Sequence, residues 1–87
     1  MPVRVEFYGI PRTRVGVDAV DVVASNLREA LGELKAQFPE FDRSCLDGTQ
    51  LREGFVANVN GRSFTSDPAA PLTDNDCLII LSADAGG

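Results

Sequence analysis

An α+β domain, with one main helix packed on one face of a small mixed sheet, is the fold class this sequence predicts. Three stretches carry that expectation. Val3-Arg4-Val5-Glu6-Phe7-Tyr8 alternates apolar and polar residues with the period of a half-buried strand. The stretch from Asn26 to Phe38 carries the apolar stripe of an amphipathic helix. Cys77-Leu78-Ile79-Ile80-Leu81 is apolar at five successive positions, as expected of a strand in the middle of a sheet.

Eighty-seven residues suffice for one small core and leave no room for a second. Hydrophobic residues at 44% and charged residues at 24% argue for a globular chain and against disorder. A net charge of −5 disfavours nucleic acid and anionic membrane as partners, because both reward Lys and Arg, and it suits a basic protein surface. The opening Met-Pro-Val-Arg-Val shows no signal-peptide core, and no stretch approaches the length of a membrane span. Cys45 and Cys77 lie far apart, in no metal-binding or redox spacing, so both are expected reduced in a cytoplasmic protein. The chain has no histidine, no phosphate-binding Gly-rich loop and no nucleophile elbow, so an enzyme acting alone is not expected.

Each element can be placed in turn. Val3, Val5 and Phe7 form the buried face of the first strand. Gly9 to Arg14 carries turn signals, and Val15, Val17, Val20 and Val22 predict a second strand with a bulge near Asp18-Ala19, where the parity slips. Asn26 is a suitable N-cap, with Glu29 in the capping-box position. Leu27, Ala30, Leu31, Leu34 and Phe38 then line one helix face, and Pro39 ends the helix at Phe38. Gly32 within it has no evident reason. Residues 40–54 read as a long loop with one helical turn at most and a turn at Asp47-Gly48. Phe55 to Val59 predicts a strand, Asn60-Gly61 a tight turn, and Arg62 to Thr65 a short return strand. An irregular crossover holding Pro68 and Pro71 leads through Asn75-Asp76 into the last strand.

With the last strand placed beside the first and parallel to it, this order gives the β-grasp (ubiquitin-like) arrangement. The whole chain is expected to be one such domain, with residues 82–87 a flexible Gly-Gly tail.

The sequence resembles the sulfur carriers of the β-grasp family, which include the small subunit of molybdopterin synthase and the thiamine-biosynthesis carrier. Val5-Glu6-Phe7-Tyr8-Gly9 with Arg12 and Gly16 resembles the family's first strand and turn. Leu27 to Pro39 resembles its helix, and Val59-Asn60-Gly61 resembles its hairpin. Leu72-Thr73-Asp74-Asn75-Asp76, an apolar strand and Gly86-Gly87 resemble its ending. Ser82-Ala83 stands where molybdopterin members usually carry Pro-Pro, and Asn75 replaces a family glycine.

The resemblance implies that Gly87, following Gly86, presents a terminal carboxylate as the reacting group. A ubiquitin-activating-type enzyme would adenylate it with ATP, and a cysteine desulfurase or rhodanese would supply sulfur for a thiocarboxylate. The leading pathway is molybdenum cofactor biosynthesis, with the molybdopterin synthase large subunit as a further partner. Thiamine, cysteine, tRNA thiolation or a specialised metabolite are the other pathways in play. No cofactor or metal is expected on the carrier itself. If Leu78 and Ile80 face the helix, then Cys77, Ile79 and Leu81 form an opposite apolar patch, extended by Tyr8 and Val56, that suits partner binding. A ubiquitin-like modifier joined through Gly87 to target lysines is the second reading. A β-grasp interaction module with an accidental Gly-Gly is the third.

Overall fold

The computed structural model describes residues 2–83. Strand β1 (Val3–Phe7) leads into helix α1 (Ile10–Val15) and strand β2 (Ala19–Val22). Helices α2 (Leu27–Gln37) and α3 (Pro39–Cys45) follow, then the two-residue strands β3 (Leu46–Asp47) and β4 (Gln50–Leu51). Strands β5 (Phe55–Val59), β6 (Ser63–Thr65) and β7 (Cys77–Ser82) complete the order. Five strands form a mixed sheet in the order β2-β1-β7-β5-β6, and β3-β4 pair separately. β7 lies in the middle, parallel to β1 and antiparallel to β5.

The inner face of the sheet is apolar by strict alternation. Val3, Val5, Phe7, Ala57, Leu78 and Ile80 are all buried there. Leu27, Ala30, Leu31 and Leu34 of α2, with Phe41 and Cys45 of α3, complete the core. The Phe7 ring meets Phe38 and Phe41 edge-on, with centroids 6.3 and 5.9 Å away, the geometry aromatic quadrupoles favour. Burial pushes the Cys45 thiol up to about 11, which keeps it protonated and inert.

Helix α2 starts as its sequence requires. Asn26 Oδ1 accepts the Glu29 backbone N–H at 2.8 Å. Glu29 Oε1 reaches back to Ser25, accepting its N–H and its hydroxyl at 2.7 Å each, one residue earlier than the usual capping box. The next free N–H groups, of Leu27 and Arg28, donate to the carbonyls of Ala70 and Pro68. The irregular crossover is thereby pinned to the helix start. Phe38, extended before its proline, ends the helix (φ −130°, ψ 86°).

Four expectations need correction. The stretch read as a turn after Gly9 is the six-residue helix α1. Pro11 sits in its first turn and Gly16 closes it in the left-handed region (φ 79°), donating its N–H to Arg12 O, a pattern that favours a helix over a turn. Val15 belongs to that helix and Val17 precedes the strand, so the parity slip marks a helix-to-strand boundary and not a bulge. Residues 40–54 are not a loop. Pro39 opens α3, whose Phe41 and Cys45, four residues apart, enter the core together, and β3-β4 follow. The last strand also runs one residue past Leu81, to a buried Ser82, so the expected tail loses Ser82 to the sheet. Asp84 to Gly87 lie outside the described residues.

Elsewhere the local chemistry holds. Asn60 and Gly61 both adopt positive φ (58° and 72°), and Arg62 N donates to Val59 O, as a type I′ turn demands. Asn75 takes the left-handed conformation at φ 72°, which Asn tolerates better than most residues. No helix among the described residues is long and apolar enough to cross a membrane.

Replacing Leu31 or Leu34 by Ala is expected to cost about 2–5 kcal/mol, since both are fully buried; melting unchanged from the parent would show the helix face to be wrong. A Cβ at Gly32 meets nothing within 4 Å. Gly32→Ala is therefore expected to stabilise the domain by about 0.5–1 kcal/mol in denaturant titration, the helix-interior cost of glycine. The bonds from Ser25 hold the Glu29 carboxyl below its ordinary value of 4.5. Its contribution is thus complete above that value and lost as pH falls through the lower folded-state value. Glu29→Gln should accordingly flatten the acid limb of a melting-temperature profile, and an unaltered profile would refute the link.

Candidate functional site

Among the described residues the sheet has helices on its inner face only, and its outer face can be read directly from the strand register. β1 contributes Arg4 and Glu6, with Tyr8 just beyond its end; β7 contributes Cys77, Ile79 and Leu81. Val56 lies opposite Leu81 and Asn58 opposite Ile79 on β5, and Phe64 lies opposite Asn58 on β6. The five residues expected in a partner-binding patch, Cys77, Ile79, Leu81, Tyr8 and Val56, therefore share this face. Cys77, Ile79, Leu81 and Val56 are half-buried and Tyr8 is exposed. Leu78 and Ile80 face the helix, as the alternation requires.

The outer face divides by chemistry. Toward β6, Val56, Ile79, Leu81 and Phe64 make an apolar half, with Asn58 in their midst. Toward β2, polar contacts take over. Arg4 Nε donates to Glu6 Oε2 at 3.0 Å, and the Tyr8 hydroxyl donates to Glu6 Oε1 at 3.0 Å. These two donors, Arg4 first, hold the Glu6 carboxyl below the usual range; the same bond raises Tyr8. Arg12 pairs with Asp18 at 2.7 Å. Arg4, Glu6, Phe7, Tyr8, Arg12 and Asp18 line an open cleft of about 270 Å³. Each of its two guanidinium groups is already matched by a carboxylate, so it is a balanced polar surface and not an anion trap.

Cys77 sits at the junction of the two halves. Burial, and after it the neighbouring Glu6 carboxylate, push its thiol above the ordinary value. That opposes thiolate formation at neutral pH and argues against a nucleophilic role for Cys77. No group of three or more potential metal ligands occurs among the described residues.

The end of β7 is held on both sides. Ser82 Oγ accepts the Ile10 backbone N–H at 3.3 Å, and Ala83 N donates to Gly54 O at 2.8 Å. Leu81 and Val56 lie directly beside this point. The expected reacting residues, Gly86 and Gly87, lie outside the described residues, so only their root is placed. Sequence reading missed Asn58 and Phe64. A polar residue and an exposed aromatic at outward positions of two short strands look like ordinary surface until the register sets them side by side.

No protein-family model matches the sequence, and no curated protein does. Solved structures do. SAMP1 from Haloferax volcanii is 18% identical, with a TM-score of 0.81 over 100% of both chains. A chain of the BexX/CysO complex from Amycolatopsis orientalis is 24% identical, with a TM-score of 0.79 over 98% of this chain and 99% of that one. A chain of the complex of subunits 1 and 2 of the molybdopterin-converting factor from Helicobacter pylori is 22% identical, with a TM-score of 0.69 over 100% of both. The chain is a β-grasp domain. The expected arrangement, with β7 central and parallel to β1, is the observed one.

In this β-grasp domain Ile80 and Leu81 are sequence neighbours on opposite faces. Leu81→Glu is expected to leave the fold intact, because the charge emerges on the face without helices. Ile80→Glu should unfold the domain by burying an unpaired carboxylate in the core. Circular dichroism melts that rank the two the other way would reverse the assignment of faces.

Proposed function

We propose that this protein is a sulfur carrier, acting through the Gly87 carboxylate as the small subunit of molybdopterin synthase. The observation that carries the reading is a continuity. Central strand β7 passes from the core to a pinned root at Ser82-Ala83, four residues before Gly87, and the apolar half of the outer face begins at that same root. Docking and delivery would thus be adjacent. The fold likeness to a chain of the molybdopterin-converting factor complex supports the choice of pathway.

The chemistry suits the residues. A carboxylate is a poor acyl donor until one oxygen is part of a good leaving group. Adenylation by a ubiquitin-activating-type partner joins that oxygen to the α-phosphate of ATP and releases pyrophosphate. The terminal sulfur of a persulfide on a cysteine desulfurase or rhodanese then bonds to the acyl carbon as AMP departs. A second thiol, attacking the donor's cysteine sulfur in the resulting acyl disulfide, releases the thiocarboxylate and is itself left in a disulfide. Glycine at Gly86 and Gly87 keeps that carbon unhindered. The carrier offers no histidine and no activated thiol, so base and nucleophile come from the partners. A modifier joined to lysines through Gly87 is the second reading, favoured by the fold likeness to SAMP1, which is named as a small archaeal modifier protein.

Incubation with the organism's adenylating enzyme, ATP and a sulfur donor, followed by intact mass measurement, separates the readings. Exchange of one terminal oxygen for sulfur supports the carrier; transfer of the chain to a lysine supports the modifier. Deleting Gly87, appending one residue to it, or Gly86→Val should each abolish the product while leaving the melting temperature nearly unchanged. If neither product forms, the Gly-Gly is incidental and the protein is an interaction module.

A further inference from the structure

We propose that Asn58 is a socket for a partner arginine, whose guanidinium donates to Asn58 Oδ1 while its plane rests on the Phe64 ring. The inference builds on the docking face proposed above and names the chemistry the partner must bring to it. Asn58 occupies the middle of the apolar half, with Ile79 opposite on one side and Phe64 opposite on the other. It is only 6% exposed, and its Oδ1 is buried with no hydrogen-bond partner. Ser82, the other buried polar side chain among the described residues, is paired through its hydroxyl. Asparagine is also a poor strand former. An unpaired buried acceptor at a sheet centre costs stability in the free protein and asks for an explanation. A donor arriving with a partner supplies one.

The identity of that donor follows from the surroundings. The protein carries a net charge of −5, which attracts cationic surfaces. Phe64, directly opposite Asn58 on the edge strand β6, is 68% exposed, so its ring presents an open face beside the amide. Arginine has donors but no acceptor, and its flat guanidinium stacks on aromatic rings while bonding in its own plane. Lysine, a strongly hydrated point charge, fits an apolar collar less well.

The test is calorimetric titration of the protein and its variants with the organism's ubiquitin-activating-type adenylating enzyme. Asn58→Leu, which keeps the shape and removes the acceptor, is expected to melt at or above the parent. Asn58→Leu and Asn58→Ala are each expected to weaken binding roughly tenfold. Phe64→Leu is expected to weaken it by a few-fold through loss of the ring face. Leu81→Glu is the control for the docking face. If it binds like the parent, the face is wrong and the socket falls with it. If Leu81→Glu weakens binding but the Asn58 variants do not, the face stands and the socket is overturned. A lower melting temperature for Asn58→Leu would make Asn58 a residue of the free fold and also overturn it. Weaker binding by both Asn58 variants with none by Phe64→Leu would rule out a stacked arginine.

Discussion

The parallel pairing of β1 with β7 is the constraint on which the rest of the structure depends. It sets Arg4 against Cys77 and Phe7 against Ile80, so segments from near the two ends of the chain lie side by side. Parallel strands cannot be joined by a tight turn. The chain between them must therefore cross over one face, and that path supplies the helices that cover the inner face while β2, β5 and β6 extend the sheet itself. With β7 in the centre, its inner residues Leu78 and Ile80 are sealed beneath the helices. The strand's apolar content is thereby divided between a core and a face.

Backbone polarity is settled by the same geometry. The crossover between β6 and β7 is folded by its own turns, with Ala70 N donating to Asp67 O and Asp76 N to Thr73 O, and it is also tied to the helix start. Carbonyls of Pro68 and Ala70 take the first free amides of α2, and Leu72 N donates to Ser25 O. The helix start and the crossover each complete the other. At the far end of the helix, Lys35 reaches Asp42 at 2.9 Å and ties α2 to α3; both ends exposed to water make that pair a modest contribution.

Much of this was legible in the residues. Alternation placed β1 and the two faces of β7, because a side-chain period of two leaves no freedom once one face is buried. Asn26, Glu29 and Pro39 bounded α2 by chemistry that needs no tertiary context. The short helices were not legible in the same way. The residues of α1 carry no apolar stripe, and only Pro11 near its start and Gly16 at its end announce it. Pro39 was read as a stop and is also a start, since a missing amide is harmless in a first turn. The shared outward face of Cys77, Ile79 and Leu81 was foreseen as far as single-strand parity reaches. Asn58 and Phe64 were not, because their meeting depends on the pairing of β5 with β6 and β7, which a linear pattern does not contain.

The bond from Ala83 N to Gly54 O turns the end of the sheet into the zero mark of a ruler. Beyond it, residues 84–87 can span no more than about 14 Å when fully extended. A reaction at Gly87 would then require any enzyme bound at Leu81 and Val56 to keep its reactive centre within that depth of its own surface. The domain would thus select among enzymes by the length of their entry channels as well as by the surface around the mouth.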